Sequence, residues 1–89
     1  MIFLNNNLNK EMIDIKILGT GCPKCRTLEK MTRDVVEKTG IEATITKVEN
    51  IVDMMRYNIM VTPALVVNGK VVLKGRIPSM DELKRLITN

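Results

Sequence analysis

The stretch GTGCPKCRTLEKM, residues 19–31, contains both cysteines of the chain, Cys22 and Cys25, with two residues between them. What surrounds the pair sets the reading. Upstream, MIDIKIL (12–18) alternates apolar and polar residues at Ile13, Ile15 and Ile17, the period of a strand with one buried face. Downstream, Leu28, Met31, Val35 and Val36 recur at helical spacing. Gly19, Thr20 and Gly21 form the loop between them, and Pro23 stands where a helix tolerates proline, in its first turn. The cysteines therefore mark a junction from strand to helix.

Working outward, Gly40 supplies the helix C-cap, and IEATITKV (41–48) alternates again as a partly exposed strand. ENIVDMMRYN (49–58) reads as a short helix whose apolar side is Ile51, Met54, Met55 and Tyr57. Two apolar runs, Ala64–Val67 and Val71–Leu73, flank Asn68-Gly69, a strong hairpin signal because both turn positions need positive φ. Pro78 precedes Ser79-Met80-Asp81-Glu82, a capping box, and Leu83, Leu86 and Ile87 give the last helix its stripe. The order is β-α-β-α-β-β-α. Its first half can form a right-handed βαβ unit with parallel strands. Its second half adds an antiparallel hairpin and a closing helix. Residues 1–11 are Asn-rich and aperiodic, and read as a flexible tail. Met12 is then a candidate start and 12–89 the domain. The alternative is that Ile2, Phe3 and Leu4 pack on the domain.

With 89 residues the chain is one domain with a thin core. Its net charge of +4 favours acidic partners in general, but it carries one Tyr, one Phe and no Arg/Lys block longer than two. That leaves neither a stacking platform nor a basic stripe, so nucleic acid is not an expected partner. No apolar run approaches a membrane span, roughly 20 residues. MIFLNNNLNK lacks the basic n-region and long h-region of a signal peptide, which makes the cytoplasm the expected location and a monomer the default state. In that compartment a structural disulfide is uncommon, and CxxC is usually catalytic or metal-binding.

A free thiol of pKa about 8.5 is only about 3% thiolate at pH 7. At the start of a helix, unpaired backbone N–H groups and the dipole favour an anionic sulfur by up to ~2 kcal/mol, or about 1.5 pKa units. Cys22 is the residue so placed, with Lys24 and Arg26 adding positive charge nearby. Cys25, one turn on, shares its face of the helix and can attack a mixed disulfide formed on Cys22. As a staple, so small a loop would contribute only about 2 kcal/mol. Three other uses of the pair stay open. They could be two small core residues. They could be soft thiolate ligands for Cu(I) or Zn(II) in a carrier, although a closed zinc site takes four ligands and the chain has no His and no third Cys. They could also serve a redox-sensing module that does not turn over.

KILGTGCPKC (16–25), TPALVVNGKVVLKGRIPS (62–79) and the order of elements between and after them resemble the thioredoxin/glutaredoxin superfamily, and within it the very small thioredoxin-like redox-active disulfide proteins. The resemblance covers about residues 12–88. It implies an α/β fold of thioredoxin type: a four-stranded mixed sheet of order 2-1-3-4 with helices on both faces. It implies a dithiol/disulfide oxidoreductase, with Cys22 attacking and Cys25 resolving, in an active-site loop that includes Gly21, Pro23 and Lys24. It implies a cis bond before Pro63, substrate contacts from Thr62 and Pro63, and a groove lined at Gly75, with Tyr57 and Val61 as either groove walls or core. No cofactor or metal is implied. The implied partners are a disulfide-containing protein or small thiol, and a reductase or dithiol electron donor. The sequence departs from the family in three places. Thr20-Gly21 replaces the Trp-containing flank of ordinary thioredoxins. Lys16 stands six residues before Cys22, where they carry a buried Asp. The Gly-Gly run with which glutaredoxins hold glutathione is missing.

Overall fold

The computed structural model describes residues 12–21, 23–59 and 61–88, so the N-terminal segment 1–11 and Cys22 lie outside the described residues. The elements run β1 (Ile13–Leu18), α1 (Pro23–Thr39), β2 (Ala43–Val48), α2 (Ile51–Met55), β3 (Ala64–Val67), β4 (Lys70–Lys74) and α3 (Met80–Thr88). The strands form one sheet in the order β2-β1-β3-β4. β1 and β2 pair in parallel from Ile13↔Ala43 to Leu18↔Val48. β3 runs antiparallel to β1, with Leu18↔Ala64 and Ile15↔Val67, and β4 folds back antiparallel on β3.

Alternation along β1 divides the core between the two faces of the sheet. Ile15 and Ile17 meet Leu28 and Val35 of α1, Leu65 and Val67 of β3, and Leu83 and Ile87 of α3. On the opposite face Leu18 meets Met54 of α2 with Ile59, Ala64 and Val66. β3 is buried along its whole length because both faces are covered. β4, at the sheet edge, pairs with β3 through a bulge. Leu73 pairs with Leu65 and Val71 with Val66, so Val72 is the extra residue. Val72 consequently packs on the same cluster as Leu73, while Val71 serves the other face. An unbroken period of two could not do this.

The local signals act where their chemistry requires. α1 ends at Gly40, whose φ of +72° lets its N–H reach the Val36 carbonyl at 3.0 Å. Asn68 and Gly69 take φ of +52° and +83°, the twist of a type I′ hairpin turn. Asn68 also extends the sheet, because its N–H donates to the Asp14 carbonyl at 2.7 Å and its side-chain oxygen accepts from the Asp14 N–H at 2.9 Å.

Two expectations need correction. The helix anticipated over 49–58 spans only Ile51–Met55, capped by Asn50, whose Oδ1 accepts from the Val52 N–H at 2.8 Å. It stops because the chain turns at Asn58, whose φ is +58°, and the Ile59 N–H folds back to the Met54 carbonyl at 3.2 Å, tucking Ile59 into the core. The capping box of α3 is half formed. Ser79 Oγ accepts from the Glu82 N–H at 3.1 Å, but the Glu82 carboxylate receives a two-pronged guanidinium from Arg76, at 2.8 and 2.5 Å.

Arg76 holds the Glu82 carboxyl below its usual range, through the hydrogen bonds and then through charge. A carboxylate depressed on folding contributes stability above its unfolded pKa and loses it as pH falls through the folded value. Glu82→Gln is therefore expected to lower Tm at pH 7, with the deficit shrinking as pH falls toward about 3, below the free carboxylate pKa. A deficit that is the same at both pH values contradicts the assignment.

Candidate active site

The end of β1 and the start of α1 meet at Gly19. Its N–H donates to the Val48 carbonyl at 3.0 Å, so it prolongs the parallel ladder one residue beyond β1. It lies hard against Cys25. A Cβ built on Gly19 would overlap the Cys25 sulfur, stand 3.1 Å from Cys25 Cβ and lie 3.8 Å from Thr62 Cβ. Only glycine leaves room for the sulfur here. Cys25 is 5% exposed, so its side chain is enclosed by the strand it follows and by the segment entering β3.

Thr62-Pro63 enters from the other side. The bond is cis, Pro63 is buried and Thr62 is exposed. Among the described residues, no backbone hydrogen bond engages the Thr62 N–H or carbonyl. Gly75 closes this end of the sheet. Its N–H donates to the Pro63 carbonyl at 2.7 Å, its φ is +80°, and an added Cβ would stand 3.0 Å from a Val61 methyl. The structure thus brings Cys25, Gly19, Thr62, Pro63, Val61 and Gly75 into one continuous set. Val61 is 53% exposed beside it. Tyr57 belongs elsewhere, packed with Val48 and Val71 on the cluster under α2.

The loop is held from the helix. Arg26 Nη1 donates to the Gly21 carbonyl at 2.8 Å, and Thr27 Oγ1 donates to the Pro23 carbonyl at 3.0 Å. Gly21 has a φ of +81°, which a side chain would resist. Pro23, the first residue of α1, and Lys24 are both exposed. The first turn of α1 carries no acidic residue. Cys22, which stands between Gly21 and Pro23 in the sequence, lies outside the described residues.

Lys16 lies on the α2 side of the sheet. Its Nζ donates to Asp14 Oδ2 at 2.5 Å, and that hydrogen bond holds the ammonium above the ordinary lysine range. With Tyr57, Asn50 and Arg56 it lines a cavity of about 450 Å³. A cation answered by Asp14 therefore occupies the position where the family resemblance would place a buried acid.

Sequence reasoning overlooked the steric role of Gly19 and the grip of Arg26 on Gly21. The GTG run hints at the first, since a second glycine so close to Gly21 has no turn of its own to make. Nothing in the pattern signals the second.

Gly19→Ala forces either Cys25 or the β1 terminus to move, an overpacking that costs about 1–3 kcal/mol. The expected outcome is a lower Tm together with faster alkylation of Cys25 in a Cys22→Ser background. Both quantities unchanged from the parent contradict this packing.

With this geometry in place, the comparisons with known proteins converge. Residues 13–88 match the family model described as a thioredoxin domain. A thioredoxin of Methanothermobacter thermautotrophicus is 34% identical over 77 residues, 86% of this chain and 100% of its own. A thioredoxin of Methanocaldococcus jannaschii is 38% identical over 73 residues, 82% of this chain and 84% of its own. Among solved structures, a mutant thioredoxin from Halobacterium salinarum superposes with a TM-score of 0.66 at 24% identity, covering 94% of this chain and 79% of that one, which is a likeness of fold. The chain belongs to the thioredoxin family of small thiol–disulfide oxidoreductases.

Proposed function

We propose that residues 12–89 act as a dithiol/disulfide exchange domain in which Cys22 is the attacking thiolate and Cys25 the resolving thiol. The observation that carries the reading is the seating of Cys25 against Gly19 beside Thr62. It puts one member of the CxxC pair out of reach of a bulky substrate and next to Thr62, whose N–H and carbonyl have no backbone partner among the described residues. A buried sulfur is poorly placed to meet a substrate but well placed to receive a bond from its neighbour.

The Cys22 thiolate attacks one sulfur of a substrate disulfide. That S–S bond breaks, a mixed disulfide forms, and the other substrate sulfur leaves as a thiolate that takes up a proton. Cys25 loses its proton and attacks the Cys22 sulfur. The mixed disulfide breaks, Cys22–Cys25 forms, and the substrate departs as a dithiol with two electrons gained. A dithiol donor or reductase restores the pair by the reverse exchange. The Thr62 N–H and carbonyl offer a substrate peptide the hydrogen bonds of an added strand, with Pro63 and Gly75 beside that approach. Gly21, Pro23 and Lys24 shape the loop through which Cys22 is reached. The domain works as a monomer, on disulfide-containing proteins or small disulfides, in the reducing cytoplasm. No helix among the described residues is long and apolar enough to cross a membrane.

The experiment is a trap. Cys25→Ser is expected to accumulate a mixed disulfide with a model peptide disulfide, visible by intact mass without reductant. Cys22→Ser is expected to form none and to lose exchange. If Cys25→Ser turns over disulfides as the parent does, the roles are wrongly assigned.

A further inference from the structure

The cations of the described residues fall into two groups. Several are answered by carboxylates: Lys16 by Asp14, Arg33 by Glu29, Arg56 by Asp53 at 3.8 Å, and Arg76 by Glu82. Lys47 lies 3.7 Å from Glu29 and 3.8 Å from Glu49. Lys30, Lys38, Lys70, Lys84 and Arg85, exposed elsewhere on the surface, have no such partner among the described residues, and neither do three cations at the groove. Among the described residues, no carboxylate lies within ion-pair distance of Lys24, Arg26 or Lys74.

These three flank the two sides of the site. Lys24 and Arg26 bracket Cys25 on the helix, and the Arg26 guanidinium sits on the Gly21 carbonyl, one peptide unit from Cys22. Lys74 precedes Gly75, whose N–H is bonded to Pro63. All three are exposed. Gly19 ties the two sides together through its contacts with Cys25 and Thr62. Glu49 approaches the loop, its Oε2 3.7 Å from where a Cβ on Gly21 would stand, and Lys47 opposes it. The paired cations present little net field. The unpaired ones leave the approach to the cysteines positive on both flanks.

Resting on the exchange reading above, we propose that this domain selects disulfides flanked by acidic residues. A peptide segment with Asp or Glu beside its cysteine would lie along Thr62, with carboxylates reaching Lys24 and Arg26 on one side and Lys74 on the other. Complementary charge of this exposed kind acts mainly on the rate of encounter, and salt screens it.

The test uses the reduced full chain and three synthetic decapeptides closed by one disulfide, flanked by Asp/Glu, by Ser or by Lys. Single-turnover rate constants are each divided by the rate of the same peptide with dithiothreitol, which removes the peptide's own reactivity. At low salt the order expected is acidic, neutral, basic, with acidic exceeding basic by about tenfold, a usual scale for steering, and the gap closing in 0.5 M NaCl. The double variant Lys24→Glu with Lys74→Glu is expected to bring the acidic-to-basic ratio below one. Equal normalised rates, a basic peptide that reacts fastest, or a ratio untouched by the double variant overturns the proposal while leaving the exchange chemistry standing. No reaction with any of the three peptides overturns the exchange reading and this proposal with it.

Discussion

The contact on which the site depends is the one between the Gly19 backbone and the Cys25 sulfur. It joins the terminus of β1 to the first turn of α1 with no side chain between them. Because interiors are close-packed, a single added methyl there has nowhere to go. The parallel ladder fixes one partner, since Gly19 continues the β1–β2 pairing through Val48. The core fixes the other, since Leu28 and Val35 hold α1 on the sheet face shared with Leu83 and Ile87 of α3. The position of the sulfur is thus set by both halves of the fold.

The second half of the chain brings the remaining parts to the same place. β3 lies beside β1, so the residues that enter it, Val61 to Pro63, arrive next to Gly19. The hairpin turn at Asn68-Gly69 sends β4 back to the same end, where Gly75 bonds to Pro63. The bulge at Val72 turns Val72 and Leu73 to the same core cluster while Val71 serves the other. In a domain of this size the core is thin. The site therefore shares its supports with the fold, and damage to one is felt in the other.

Much of this architecture was legible before the structure, because its signals are local. Asn68-Gly69 specifies its turn through positive φ, Gly40 its helix end, and Pro23 its helix start. The alternation of β1 determines which residues face α1. The reading failed where local pattern competes with packing. The apolar spacing over 49–58 suits a helix of that length, but Ile59 is drawn into the core, and the chain must turn at Asn58 to deliver it. The run Val71-Val72-Leu73 has no period, so its bulge left no trace in sequence. The Ser79–Glu82 pattern named the right cap, yet a guanidinium from outside the motif claimed the Glu82 carboxylate. At the site, Cys25 was singled out by its spacing from Cys22 at a strand-to-helix junction and Pro63 and Gly75 by family resemblance, and the structure brings these three together. The role of Gly19 was not legible, because sequence reports a missing side chain without saying what fills its place.

Everything proposed for the site requires Cys22 and Cys25 to form a reversible redox pair. The most direct measurement is a redox titration of the metal-free protein in graded glutathione buffers, each point acid-quenched, alkylated and weighed by mass spectrometry. A single two-electron transition between dithiol and intramolecular disulfide is expected, with a midpoint between roughly −270 and −120 mV. A pair that stays reduced across the whole series contradicts it.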